Sequence, residues 1–130
     1  MARQVIPFES TWLNADRHFA KAFEGLSAEG QKDFQKRLAV FILALQQCSH
    51  PVLDPRLASL RPTPYPGVAK ISGGQLIEYR LDRSSERVVA CYFEQRNVVL
   101  LVAVTINHDH ERIKTLIKKH KSDIGRAGSE

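Results

Sequence analysis

The sequence predicts an α+β fold, with an N-terminal strand and a helical hairpin packed on a twisted antiparallel sheet of about four strands, followed by a C-terminal helix. In the first half, apolar residues recur at spacings of three and four, which is typical of amphipathic helices. In the second half, short apolar runs are joined by polar turns, which is typical of antiparallel strands. After the last run the helical spacing returns, now among basic residues.

Length and composition favour one folded unit. The chain has 130 residues, of which 43% are hydrophobic and 25% are charged, enough for a single core. We place the domain at residues 1–124 and expect a flexible C-terminal tail at residues 125–130. No apolar stretch approaches the roughly 18 residues of a membrane span, and no signal peptide is visible. We therefore expect a soluble, cytoplasmic protein that does not bind a membrane.

Two helices are expected in the first fifty residues. Residues 4–8 form a candidate edge strand, since Pro7 is tolerated at an edge. A helix is predicted from Thr11, with apolar positions at Trp12, Ala15, Phe19, Ala22, Phe23 and Leu26. Ser27 is suited to cap a second helix, whose apolar stripe contains Phe34, Leu38, Phe41, Ile42 and Leu45. The short join between them predicts an antiparallel hairpin.

The segment after the hairpin is rich in proline and leads into the sheet. Residues 49–67 hold five of the six prolines, and one short helical turn is expected at residues 54–60. Strands are expected at residues 68–71, 76–81, 87–94 and 98–106, with turns at residues 73–74, 82–86 and 95–97. The final helix has an apolar stripe of Ile113, Leu116 and Ile117, and Asn107 or Asp109 is placed to cap it.

The chain is basic, with a formal net charge of +5 and an isoelectric point of about 9.5. Six cations gather near the C-terminus: Arg112, Lys114, Lys118, Lys119, Lys121 and Arg126. This distribution favours a polyanion or an acidic protein as partner, although a solvated helix face has the same pattern. Cys48 and Cys91 lack metal-ligand spacing and are expected to be buried free thiols.

The segment after the last strand carries the residues most suited to catalysis. The apolar run at residues 98–104 is soon followed by His108 and His110. Arg80 and Arg87 stand on the two preceding strands. Histidine gives and takes protons near neutral pH, and guanidinium groups bind phosphate through two parallel hydrogen bonds. The pattern indicates acid/base chemistry on an anion and favours phosphodiester chemistry on RNA.

Each of these residues also has a structural explanation. Arg87 can pair with Glu78 or Glu94 on adjacent strands, and His108 can be a polar strand end. In an extended strand His108 and His110 point to the same side, as two metal ligands would, but no second ligand pair accompanies them. We therefore expect no metal and no other cofactor.

Three segments of the predicted sheet are similar to a known signature. They are Tyr79-Arg80-Leu81, Glu86-Arg87-Val88-Val89-Ala90-Cys91-Tyr92 and Val99-Leu100-Leu101-Val102-Ala103-Val104. With its order of strand, helical hairpin, leucine-rich link and antiparallel strands, the chain resembles the RelE/ParE toxin superfamily of bacterial toxin–antitoxin modules over residues 4–120. The resemblance implies a RelE-like α+β fold.

The resemblance also implies an activity. Ribonuclease members of the superfamily cut mRNA on the ribosome without a metal, with the 2′-hydroxyl as nucleophile. By position, Arg87 and Arg80 would bind the phosphate. His108 and His110 would supply acid/base catalysis, and Glu78 would be the base or balance Arg80. The residues expected to contact RNA are Lys70, Arg83, Arg112, Lys114 and Lys118.

Three functions stay open at this point. The first is a metal-independent mRNA endoribonuclease, and the second is a ParE-like toxin that inhibits DNA gyrase by contact. The third is a non-catalytic relative that only binds protein. Ribonuclease members often carry Tyr or Phe soon after the last strand, where this chain has Ile113 and Lys114. Either toxin class implies an acidic, partly disordered antitoxin as partner, and the oligomeric state is left open.

Overall fold

A five-stranded sheet lies between two helical layers in the computed structural model, which describes residues 2–65, 70–81 and 85–129. The strands are β1 (Gln4–Pro7), β2 (Thr63–Pro64), β3 (Gln75–Arg80), β4 (Arg87–Phe93) and β5 (Val98–Thr105). The helices are α1 (Arg17–Glu24), α2 (Ala28–Gln47) and α3 (His110–Ser129). The predicted α+β class, with its helical hairpin and C-terminal helix, is confirmed.

The strand order across the sheet is β1-β5-β4-β3-β2. β3, β4 and β5 pair antiparallel, as the short polar joins between them predict. β1 instead pairs parallel with β5, from Gln4 opposite Val98 to Pro7 opposite Leu101, so the sheet is mixed and not purely antiparallel. A parallel pair needs a long connection, which the helices and the other strands provide here. The predicted edge position of β1 is confirmed.

β4 and β5 are buried along their whole lengths. Alternate side chains of β4 point to opposite faces, so Val88 and Tyr92 join the core of α1 and α2, whereas Val89 and Cys91 join the core of α3. A strand covered on both faces has an uninterrupted apolar sequence, which explains the two runs in the second half. Cys91, like Cys48, is a buried free thiol, as the sequence predicts.

The helical hairpin begins later than the sequence predicts. α1 follows Asp16, whose carboxylate accepts hydrogen bonds from the backbone N–H groups of His18 (3.0 Å) and Phe19 (3.4 Å). Trp12 precedes the helix in a turn but is still buried. The predicted start at Thr11 is therefore wrong, because buried side chains before the cap continue the apolar spacing of the helix. α2 follows Ser27, as predicted.

The proline-rich link forms a 3-10 helix at Pro55–Leu60, where the sequence predicts a helical turn. The strand predicted at residues 68–71 lies partly outside the described residues, and Lys70 and Ile71 are not in a strand. β2 lies earlier in the chain and pairs antiparallel with β3. The turn predicted at residues 82–86 also lies partly outside the described residues.

α3 is longer than the apolar spacing predicts. Ile124 continues the buried stripe of Ile113 and Ile117, and Gly128 is buried close to the ring of Phe93. The helix therefore extends into the segment where the sequence predicts a flexible tail, because a residue without a side chain lets the helix end approach the sheet. None of the described helices combines the length and the hydropathy needed to cross a membrane.

Two glycines of α3 provide a matched test of this packing. A Cβ added at Gly128 would lie 2.0 Å from Cε1 of Phe93, whereas one added at Gly125 would have Cγ2 of Ile71 as its neighbour, at 3.8 Å. We predict that Gly128→Ala lowers the free energy of unfolding by about 1–3 kcal/mol through overpacking. Gly125→Ala should raise it by roughly 0.5–1 kcal/mol, because alanine is the better helix former. Urea denaturation measures both, and equal effects would contradict the close packing on Phe93.

Candidate active site

Three of the predicted catalytic residues meet at one end of the sheet. Arg80 of β3 lies directly opposite Arg87 of β4, which in turn lies directly opposite Thr105 of β5. Glu78 precedes Arg80 by two residues on the same strand and therefore points to the same face. This is the face that α3 covers, and α3 begins with His110. The end of the sheet thus holds two cations and one carboxylate beside the start of a helix.

Arg87 is buried, at 7% exposure. Its Nε lies 3.9 Å from Oε1 of Glu78, and its Nη1 donates to the carbonyl oxygen of Glu86 at 3.1 Å. The pKa of the Arg87 guanidinium is lowered, because burial disfavours the charged form and Arg80 repels it, while Glu78 acts in the opposite direction. Like charges directly opposite on two strands destabilise the sheet. An added anion would therefore stabilise this arginine pair.

Tyr65 is a site residue that sequence reasoning missed. Its hydroxyl lies 3.1 Å from Nδ1 of His110 and donates to the His110 carbonyl oxygen at 3.3 Å, and the two ring centroids are 5.2 Å apart. Because the hydroxyl occupies Nδ1, whichever atom of this contact donates, Nε2 is the ring nitrogen of His110 left for a substrate. Burial raises the pKa of the Tyr65 hydroxyl well above its usual value, and the charges of Glu78 and Glu111 raise it further. Tyr65 is therefore neutral.

The position of Tyr65 follows from the pairing of β2 with β3. Its backbone N–H donates to the carbonyl oxygen of Leu76 at 3.0 Å, which extends the ladder beyond β2. Tyr65 thereby supplies an aromatic ring near the site, although none follows β5 in the sequence. The sequence signal for Tyr65 was its position between Pro64 and Pro66. Proline restricts the backbone conformation, so an aromatic residue between two prolines is a candidate for a fixed position.

His108 lies at the surface beside His110. The two ring centroids are 6.3 Å apart and the ring planes differ by 28°. His108 lines a cleft of about 200 Å³ together with His18 and Phe19 of α1. The two histidines thus have different surroundings, since His110 contacts Tyr65 and His108 borders a cleft next to α1. Within the described ranges, no three His, Cys, Asp or Glu side chains are arranged to hold a metal ion.

Arg112 is engaged inside the protein. Its Nη1 pairs with Oδ2 of Asp16, and its Nη2 donates to the carbonyl oxygen of Val104 at 3.2 Å. The two paired side chains are 11% and 4% exposed, so water screens this pair little. Asp109 accepts a hydrogen bond from the backbone N–H of Arg112 at 3.1 Å and is thus a cap of α3, one of the two predicted. These contacts occupy the guanidinium that the sequence predicts as an RNA contact.

The other predicted RNA contacts are spread along α3 and beside it. Lys114 and Lys118 lie on the helix, and Lys118 is exposed. Lys70 shares a groove of about 490 Å³ with Lys121, towards the C-terminal end of the helix. Arg83 lies outside the described residues. The structure thus gathers the acid/base residues at the start of α3 and these lysines along its length.

The chain is similar in structure to a chain of the archaeal RelE–RelB complex from Pyrococcus horikoshii OT3. The TM-score is 0.42 and the identity 14%, and the match covers 81% of this chain and 94% of that chain. A likeness of this size carries no argument about function. No model of a known protein family matches the sequence, and no curated protein matches it.

The repulsion between Arg80 and Arg87 can be measured without any ligand. We predict that Arg80→Gln raises the free energy of unfolding by about 0.2–1 kcal/mol, because it removes a like charge opposite a buried one. The gain should shrink at high salt, which screens the exposed charge. Lys119→Gln, which removes one exposed charge on α3, is the control. Urea denaturation at low salt measures both, and a less stable Arg80→Gln than Lys119→Gln would contradict the repulsion.

Proposed function

We propose that this chain is a metal-independent endoribonuclease of the RelE type that cleaves mRNA. The observation that carries the proposal is the placement of Arg80 and Arg87 beside Glu78, next to the pair of His110 and Tyr65. Two cations attract a phosphate, and a carboxylate and a histidine are the groups that proton transfer in phosphodiester cleavage requires. The sequence resemblance to the RelE/ParE superfamily supports the same reaction.

In the proposed reaction, the guanidinium groups of Arg80 and Arg87 bind the oxygens of the scissile phosphate. Glu78 accepts the proton of the 2′-hydroxyl while the 2′-oxygen forms a bond to phosphorus. The bond between phosphorus and the 5′-oxygen breaks, and His110 gives a proton from Nε2 to that oxygen. The products are one RNA fragment with a 2′,3′-cyclic phosphate and one with a 5′-hydroxyl.

Glu78 suits the role of base because it already lies against Arg87. Its side chain is 17% exposed and its Oε1 is 3.9 Å from Nε of Arg87. A bound phosphate would compete for the same guanidinium and place negative charge near the carboxylate. Both effects make Glu78 a better proton acceptor once substrate is bound.

His110 is the proposed acid because its ring is held in place. The hydroxyl of Tyr65 contacts both Nδ1 and the carbonyl oxygen of His110, which orients the ring and selects Nε2 for the substrate. We therefore assign Tyr65 as a positioning residue. His108 is exposed on the neighbouring cleft and is the proposed contact for the leaving nucleotide.

An acidic antitoxin is the proposed protein partner. A groove of about 460 Å³ between α2 and the 3-10 helix contains Val40 and Phe41, with Lys36 beside them. Val40 is 63% exposed and Leu43 of the same helix is 50% exposed, and clustered apolar side chains on a surface indicate an interaction site. An amphipathic acidic segment would cover these side chains and attract Lys36. The ribosome as a further partner is proposed from the sequence resemblance alone.

A cleavage assay on synthetic RNA tests the reaction. We predict cleavage in the presence of EDTA and none where 2′-deoxyribose stands at the scissile position. His110→Gln should lower the rate about 100-fold or more, as expected for the loss of a general acid, and Arg87→Ala should abolish cleavage. Tyr65→Phe should shift the pH profile of the rate and leave KM nearly unchanged. Because Arg87 is buried, Arg87→Ala can fail to fold, and Arg80→Gln is then used in its place. Cleavage at the wild-type rate by these variants would refute the roles assigned to the varied residues.

Expression in bacteria separates this function from its alternatives. We predict growth arrest with new mRNA 5′ ends that vanish in an Arg80→Gln, His110→Gln double variant. The exposed apolar side chains of α2 favour a second candidate, a protein-binding toxin that acts on DNA gyrase or a non-catalytic relative. Arrest without RNA cuts would indicate the gyrase target. A folded protein that causes no arrest would indicate the non-catalytic relative.

A further inference from the structure

A row of lysines follows one flank of α3. Lys114, Lys118 and Lys121 are separated by four and three residues, which places them within about 60° of one another around the helix axis. The row starts one turn after His110 and spans about 10 Å along the helix, at the usual rise per residue. It therefore leads from the candidate active site towards the C-terminal end of the helix.

The row lies on the side of α3 that faces the active site and not on the side near β1. Lys121 lines the groove that also contains Lys70, which precedes β3 in the chain. The other flank of the helix carries His120, whose ring packs edge-on against Phe8 next to β1 at a centroid distance of 6.0 Å. The three lysines and the groove thus form a basic flank, whose first lysine, Lys114, lies 3.8 Å from the carboxylate of Glu111.

The groove at the end of this flank contains groups that bind phosphate. Lys70, Lys121 and Arg126 line it together with three serines. Arg126 pairs with Asp123, so these three cations and one carboxylate carry a net charge of +2. None of the described lining residues is aromatic, so the groove offers no platform on which a base could stack. Its chemistry suits a nucleic-acid backbone and not a base.

We propose that the groove binds a backbone phosphate of the same single-stranded RNA whose scissile phosphate occupies the candidate active site, with the lysine row contacting the phosphates in between. The inference rests on the proposed function for the identity of the polymer. A linear polyanion fits better than a single phosphate, because the ammonium groups of the lysine row extend over about 10 Å from the candidate active site towards the groove. Such contacts raise affinity without reading sequence, and they depend strongly on salt.

A non-cleavable RNA separates binding from catalysis. The probe is a fluorescent 2′-O-methyl oligouridine, in a short form that spans only the active site and a long form that also reaches the groove. The groove variant is Lys70→Ala, Lys121→Ala. Its matched control is Lys32→Ala, Lys119→Ala, which removes one exposed lysine from α2 and one from the exposed face of α3. Fluorescence anisotropy over a series of salt concentrations gives the Kd of each protein variant for each probe.

We expect the wild-type protein to bind the long probe more tightly than the short one. The groove variant should lose this gain, and its slope of log affinity against log salt should fall by about 1.4, at roughly 0.7 per lost phosphate contact. The control variant should keep the wild-type slope. An unchanged slope in the groove variant, or the same loss in the control, would overturn the inference. Polyglutamate bound as tightly as RNA, or equal competition by inorganic phosphate, would overturn it as well.

Cleavage of a short RNA distinguishes the two proposals. The groove variant should cleave a short substrate at the wild-type rate and a long one with a raised KM. If the wild-type protein cleaves no RNA but its long-probe affinity depends on Lys70 and Lys121, the ribonuclease proposal fails and the RNA groove stands. If the wild-type protein cleaves RNA but the groove variant keeps the wild-type slope of log affinity against log salt, only the groove proposal fails.

Discussion

The structure depends on the burial of β4 and β5 between two helical layers. Every residue of these strands is buried, and an open face would expose a continuous apolar strip to water. α3 begins at His110 and covers one face of the sheet from that residue onward. At this end of the sheet, β3 carries Glu78 and Arg80, and β4 carries Arg87. The candidate active site lies where this apolar cover ends, because charged groups are costly to place deep in an apolar core.

α3 is held at both of its ends, by two different kinds of contact. The ion pair of Arg112 with Asp16 joins its first turn to the cap of α1, and Gly128 lets its last turn approach Phe93. A shielded ion pair adds little net stability, but the loss of one partner would leave the other charge without compensation. The pair therefore selects one position of α3 relative to the hairpin. Because His110 and the basic flank belong to α3, the position of the helix also determines where they lie.

The candidate site combines groups that are unfavourable in the free protein. Arg80 and Arg87 repel each other across two strands, and the hydroxyl of Tyr65 is buried next to the charge of Glu78. A bound phosphate would offset the repulsion between the two guanidinium groups. Function and stability therefore favour different residues at this end of the sheet, as is common at sites that bind charged ligands.

Local patterns in the sequence determined most of the elements of this fold. The apolar runs of β4 and β5, the stripe of α2, the capping role of Asp109 and the position of the histidines after β5 all depend on residues close together in the chain. Only the tertiary structure decided the parallel pairing of β1, the full length of α3, and the contacts of Tyr65 with His110 and of Arg112 with Asp16. These contacts join residues that are 45 and 96 positions apart. Periodicity shows which face of an element is buried, but which distant side chains meet is decided only when the helical layers pack on the sheet.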